Sequence, residues 1–193
     1  MTTRFVKLTR VFCLALIWTA PVRADDVSDA LQAAGAAYAA GDLAKAGAEL
    51  ALANQGLGAQ QSAMLAALLP DAPDGWTKTL TEDFNKGFAI AGGGSGAEAR
   101  YDNADQSVSF TMSFIADNPM VGAMAAMLGN AQMMAMMGKV VKVGDQPLLN
   151  TDDNLSTLAN ARVLFQAQGA TSDIMLPVVQ KIDFAKVGVF DTK

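Results

Sequence analysis

Seven methionines fall within the eighteen residues from Met120 to Met137, in a chain of 193 residues with one cysteine and no histidine. The thioether is apolar, unbranched and polarizable, so Met120, Met124, Met127, Met133, Met134, Met136 and Met137 are the candidate binding residues of this chain. Four readings compete for them. They fill an irregular core beneath their own helices, or they form a plastic apolar surface for a protein or lipid. As soft sulfur donors they suit Cu(I), and Met124/Met127, Met133/Met136 and Met134/Met137 have the i, i+3 spacing of one helix face. As an apolar run they approach, at their lower limit, the length of a membrane span, but Asn130, Gln132 and a helix break interrupt it.

Two helices must position these side chains. Asn118 as N-cap, with Pro119 at the first helical position, starts the first helix and aligns Met120, Met124 and Met127 along one stripe. Gly129-Asn130 ends that helix and caps a second, short one. Met133, Met134, Met136 and Met137 crowd the second helix on most of its circumference, so they cannot all face one core.

The rest of the chemistry is mostly exclusion. Without histidine there is no Ser-His-Asp or Cys-His system, no imidazole proton shuttle and no histidine-ligated zinc. Gly92-Gly93-Gly94-Ser95-Gly96 lacks the Lys-Ser/Thr and the strand-to-helix frame of a phosphate loop and reads as a hairpin tip. Asp102/Asp105 and Asp152-Asp153-Asn154 supply oxygen donors without EF-hand spacing, and turn chemistry accounts for both. Ser62, Ser107 and Lys78 could act as nucleophiles, but no base is paired with any of them in the sequence. Carboxylate pairs such as Glu82/Asp83 leave one enzymatic alternative open, acid–base catalysis by carboxylates alone.

Residues 1–24 read as a secretory signal peptide. Arg4, Lys7 and Arg10 precede the apolar run Val11 to Trp18, then Pro21, and Val22 and Ala24 put small or medium residues at −3 and −1, so cleavage is expected between Ala24 and Asp25. The leader carries Arg4, Lys7, Arg10, Arg23 and Cys13 and no acidic residue. Its removal takes the net charge from −5 to −9 and leaves no thiol. Cysteine-ligated metal and thiol redox chemistry go with it. Scattered cations on so acidic a chain exclude a nucleic-acid surface. The expected location is the periplasm or the exterior, with no stable membrane span after cleavage.

Beyond the leader the chain divides near residue 70, into a helical hairpin region over 25–70 and an α+β domain over 71–193. In the first, Leu31, Ala34 and Tyr38, then Leu43, Ala46, Leu50 and Ala53, recur with helical period on either side of Gly41-Asp42. Gly56 and Gly58 are expected to break the second helix, leaving a third from Ala59 to Leu69. Leu69-Pro70-Asp71-Ala72-Pro73-Asp74-Gly75 stops it. Gly35, Tyr38, Gly41-Asp42, Ala46, Leu50 and Ala53 resemble a single tetratricopeptide-type hairpin over residues 31–53. That resemblance implies close helix approach at Gly35 and a small contact residue at Ala46. One repeat does not build the family's peptide groove.

In the second region the period changes to two. Val108 to Phe114 alternates without a miss, and Ala97 to Tyr101 is its expected partner. Trp76 to Leu80, Val140 to Val143, Leu148-Leu149, Leu155 to Leu158 and Arg162 to Gln168 supply further strands. Val163 and Phe165 share one face of the last; Arg162, Leu164 and Gln166 share the other. A closing helix capped by Ser172 or Asp173 runs through Val179 to Ile182, with Pro177 tolerable only near its first turn. The expected fold is α+β: an antiparallel sheet with a Met-rich helical insertion, helices on one face and a closing helix. The Pro-Asp-Gly-Trp run (Pro73 to Trp76), the central hairpin and the closing strand-Gly169-helix resemble the PsbP/Mog1-like domain across residues 73–193. That superfamily holds accessory and binding proteins more than enzymes. The expected function is an exported, non-catalytic accessory or binding protein using the methionine surface on a periplasmic or envelope partner. A Cu(I) carrier is the first alternative and a carboxylate enzyme the second.

Overall fold

The structure, a computed structural model, describes residues 24–88 and 93–192. Residues 1–23 of the expected leader lie outside them, while its last residue, Ala24, opens the first helix; Gly92 of the glycine run also lies outside. Two helices, α1 (Ala24–Ala39) and α2 (Leu43–Leu68), form a hairpin. Gly41 makes the turn at φ +79°, and the Asp42 side chain accepts the Lys45 amide at 3.0 Å as N-cap. Gly56 and Gly58 do not break α2, which runs through both, so the expected third helix is its last part. Each glycine costs a helix about 1 kcal/mol relative to alanine, and the Ala, Leu and Gln around them restore it. Gly56 is buried on the α1 side, while Gly58 faces open space.

The rest of the α+β fold is built around a seven-stranded, wholly antiparallel sheet. Its strands are β1 (Trp76–Leu80), β2 (Ser95–Asn103), β3 (Ser109–Ala116), β4 (Lys139–Val143), β5 (Gln146–Asn150), β6 (Asn154–Ala159) and β7 (Val163–Gln168). They lie in the order β1-β2-β3-β7-β6-β5-β4. Two meanders therefore meet where β3 pairs with β7, with Phe114 opposite Phe165. Tight turns are set by Gly144 and by left-handed Asn160 and Ala161.

This order dictates where the remaining helices go. The chain leaves β3, the third strand across the sheet, and enters β4 at the far edge, four strand spacings or ~19 Å away. Helices α3 (Pro119–Leu128) and α4 (Ala131–Met137) make that crossing, α3 over β6 and β7 and α4 over β4 and β5. After β7, helices α5 (Ser172–Val179) and α6 (Phe184–Val187) return across the opposite face.

Helices therefore cover both faces, not one as the order of elements suggested. The reason lies in the strands. On β7, Val163 and Phe165 join one buried cluster and Leu164 another. On β3, Phe110, Met112 and Phe114 face the first side and Ile115 the second. The first side is the larger core, sealed by Leu65 of α2, by Leu69 just after it and by Met175, Val178, Val179, Ile182, Phe184 and Val187. The second holds Ile115, Leu149, Leu158 and Leu164 under Val121, Leu128 and Met134.

The C-terminal helix also departs from expectation. Thr171 is its N-cap position, and the Ser172 amide donates to the Asp152 carbonyl at 2.7 Å. Pro177 sits in the second turn rather than the first; it and Asp173 are both exposed, so the carbonyl deprived of a donor is on the wet side.

Candidate interaction surface

The side chain of Asn118 begins α3 by accepting the Met120 amide at 3.0 Å, with Pro119 at the first helical position. Its own amide nitrogen donates to the Gly93 carbonyl at 2.6 Å, tying the helix start to the glycine segment before β2. Asn130 repeats the device for α4, accepting from Gln132 and Met133 at 2.9 and 3.3 Å. The two helices meet at 85°. Such a bend follows from ending one helix at Gly129 and capping another at the next residue.

The methionines divide by position. Met134 is fully buried and fills the sheet side of α4, and Met124 packs beside Val121 and Leu128. Met127 is half-buried. Met120, Met133, Met136 and Met137 are left 46, 41, 78 and 42% exposed. The crowding of α4 is thus resolved as one methionine inward and three outward. Met133, Met136 and Met137 lie at i, i+3 and i+4, one face of the helix. The i, i+3 pair Met134/Met137 is split between core and surface, so it cannot act as a two-sulfur site without unpacking Met134.

Among the described residues no single helix is long and apolar enough to cross a membrane; α3 and α4 reach that length and composition only together, across their bend. Nor do any three His, Cys, Asp or Glu side chains among them converge as a metal-binding group. The Asp clusters serve turns. Asp105 accepts from the Ser107 amide and hydroxyl at 3.1 and 2.7 Å, which holds its carboxyl below the ordinary value. Asp102 pairs with Arg100, and left-handed Asp152 donates its amide to the Asn150 side chain.

The nucleophile candidates are likewise engaged in structure. Ser62 is buried and accepts from the Gly96 amide at 3.4 Å, an amide also bonded to the Asn85 side chain at 2.8 Å. Ser107 holds the β2–β3 turn. Lys78 donates to the Leu69 carbonyl at 2.6 Å; burial lowers its pKa, and the charge of Asp71 partly offsets that. Glu82 and Asp83 are both exposed.

One polar cluster escaped notice in the sequence because its members are far apart. Arg162, at the β6–β7 turn, donates to Asp117 before α3 and to Asp191 in the C-terminal segment. Asp191 also accepts from Gln61 of α2 at 3.0 Å, and the Phe190 ring lies 5.1 Å from the guanidinium. Every charge in it is paired, which marks a clamp between elements. No family model, curated protein or solved structure matches this chain.

Proposed function

We propose that this protein is a non-catalytic accessory or binding module of the periplasm or exterior, with the α3–α4 methionine face as its contact surface. One observation carries the reading: α4 commits a single methionine to the core and presents three others to solvent. A helix that only covered the sheet would expose polar residues there. Flexible thioethers re-pack around differing apolar partners with little strain, which suits an apolar segment of an envelope protein.

The test is capture from periplasmic extract, identification of the partner, and reconstitution of the pair from purified components. Met133→Gln, Met136→Gln and Met137→Gln are combined, leaving Met134 in place so that folding is preserved. Loss of binding with an unchanged circular dichroism spectrum supports the reading. Undiminished binding by the triple variant overturns it.

A second reading has its own observation. The outward trio Met133, Met136 and Met137 offers three thioethers on one helical face, the donor type Cu(I) prefers. Titration of the purified protein with Cu(I) against a competing chelator decides it: the triple variant should lose stoichiometric binding, and a native chain that binds none discards the reading.

A further inference from the structure

The helical hairpin is built inside out. Where α1 meets α2 the buried residues are small, chiefly Ala30, Ala34, Ala37, Ala46, Ala53 and Gly56. The large residues of the same stripes point away: Leu31, Tyr38, Leu43, Leu50 and Leu57 are 48, 70, 67, 48 and 44% exposed. Leu43, Leu50 and Leu57 recur every seven residues, as do Leu31 and Tyr38, so each set forms a seam that drifts only ~20° per repeat. In each helix the seam lies on the C-terminal-going, clockwise side of the buried alanine stripe. Because the helices run antiparallel, that places both seams on the same side of the hairpin.

Two further features belong to this side. Gly35, Gly47 and Gly58 stand beside the seams, and a Cβ on any of them would meet nothing within 4 Å. Each glycine weakens its helix by about 1 kcal/mol, and no described residue lies within 4 Å of the space it leaves. No charged residue stands on either stripe: Asp26, Asp29 and Glu49 line a shallow concavity with Ala33, Leu52 and Gln55 on the reverse side, and Asp191, bonded to Gln61 one turn beyond Leu57, borders its end.

We propose that this face pairs with the same face of a second copy, packing two hairpins into a four-helix bundle. Charge favours a second copy as occupant. The chain is net acidic, −5 overall, so two copies repel on average, and least where the helix stripes themselves carry no charge. Area is compatible as well. With on the order of 200 Å² for a fully exposed residue of this size, the upper part of the range for large side chains, the five residues leave at most about 550 Å² uncovered per copy. A symmetric pair that covered all of it would bury roughly 1,100 Å², at the ~1,000 Å² threshold of a specific interface. A two-fold pair is self-complementary by construction, and the surface glycines let the backbones of the two copies approach closely.

Sedimentation equilibrium of the purified exported chain, from about 1 to 100 μM, tests this. The native protein is expected to dimerise in that range. Leu50→Glu should raise the dimer Kd by about 100-fold or more, and Gly47→Leu should do so by obstructing close approach. Both sites are open in the monomer, so circular dichroism and thermal unfolding of the variant monomers should be unimpaired. Leu52→Glu, at a somewhat more exposed leucine on the reverse side, should leave the dimer intact. A native chain that stays monomeric at 100 μM overturns the proposal, as does a dimer that tolerates Leu50→Glu or is broken equally by Leu52→Glu. None of these variants touches the methionine surface, so the two proposals fail separately.

Discussion

Arg162 donates through Nε and Nη2 to the two carboxylate oxygens of Asp117, at 2.8 and 2.6 Å, across 45 residues of chain. Its Nη1 and Nη2 also reach Asp191 at 2.6 and 2.8 Å. One guanidinium thereby holds the start of the methionine helices, the β6–β7 turn and the C-terminal segment in register. Asp117 reverses the chain with a left-handed φ of 56°, a conformation that short polar residues tolerate better than most. The methionine surface is oriented through this pair.

Replacing Arg162 with Ala should destabilise the fold by about 1–2 kcal/mol, more than an isolated surface ion pair is worth, because the contacts are bidentate and shared. Urea unfolding measures it. Arg162→Lys should recover only part of the loss, since an ammonium cannot bridge both carboxylates in the same plane.

The same cluster predicts a response to acid. Bonding to Arg162, with a smaller contribution from Gln61, lowers the Asp191 pKa to about 2. A carboxyl held below its unfolded value contributes its full stabilisation above the unfolded pKa near 4 and loses it as pH falls through the folded value. Unfolding free energy should therefore decline from about pH 5 toward pH 2. Asp191→Asn should be less stable at neutral pH and show a shallower decline. Parallel curves for the two proteins would contradict the assignment.

Methionines of one helix should behave oppositely. Met134→Ala removes a fully buried side chain and should cost about 2–4 kcal/mol. Met136→Ala, 78% exposed in the native chain, should change stability by less than ~0.5 kcal/mol. Thermal unfolding of the two single variants gives the comparison.

The hairpin inverts the usual rule that leucine carries a helix interface. In dilute monomer, Leu50→Ala should leave stability within about 0.5 kcal/mol, whereas Ala53→Leu should overpack the α1–α2 contact and cost roughly 1–3 kcal/mol. Leu65→Ala, in the sheet core, should cost about 2–5 kcal/mol. Chemical unfolding below the dimer Kd separates these effects from association.

Gly96 is a further point of close approach. A Cβ there would lie 2.7 Å from both the Phe114 carbonyl oxygen and the Phe88 ring. Gly96→Ala should therefore destabilise β2 by about 1–3 kcal/mol, and loss of its amide protection in hydrogen exchange would locate the damage.

Local pattern carried much of the fold. Strict alternation set β3 and the face-sharing of Val163 and Phe165; Asn118-Pro119 and Gly129-Asn130 set both methionine helices. These are nearest-neighbour effects of period, capping and turn chemistry, and they act before any tertiary contact forms. The proline-rich stop after Leu69 belongs with them. So do the seven clustered methionines, the missing histidine and the acidic charge.

Other features depended on residues distant in the chain. Strand order carried α3–α4 over the second face of the sheet, because β3 is the third strand across it and β4 lies at its far edge. Packing decided that Met134 turns inward and its neighbours outward, and that alanines rather than leucines close the hairpin. It also carried α2 through two glycines and brought Arg162 to Asp117 and Asp191. The sequence alone determined that methionine is concentrated in one segment. Which of those methionines reach solvent was decided by the sheet beneath, since only burial against a particular strand distinguishes identical side chains on one helix.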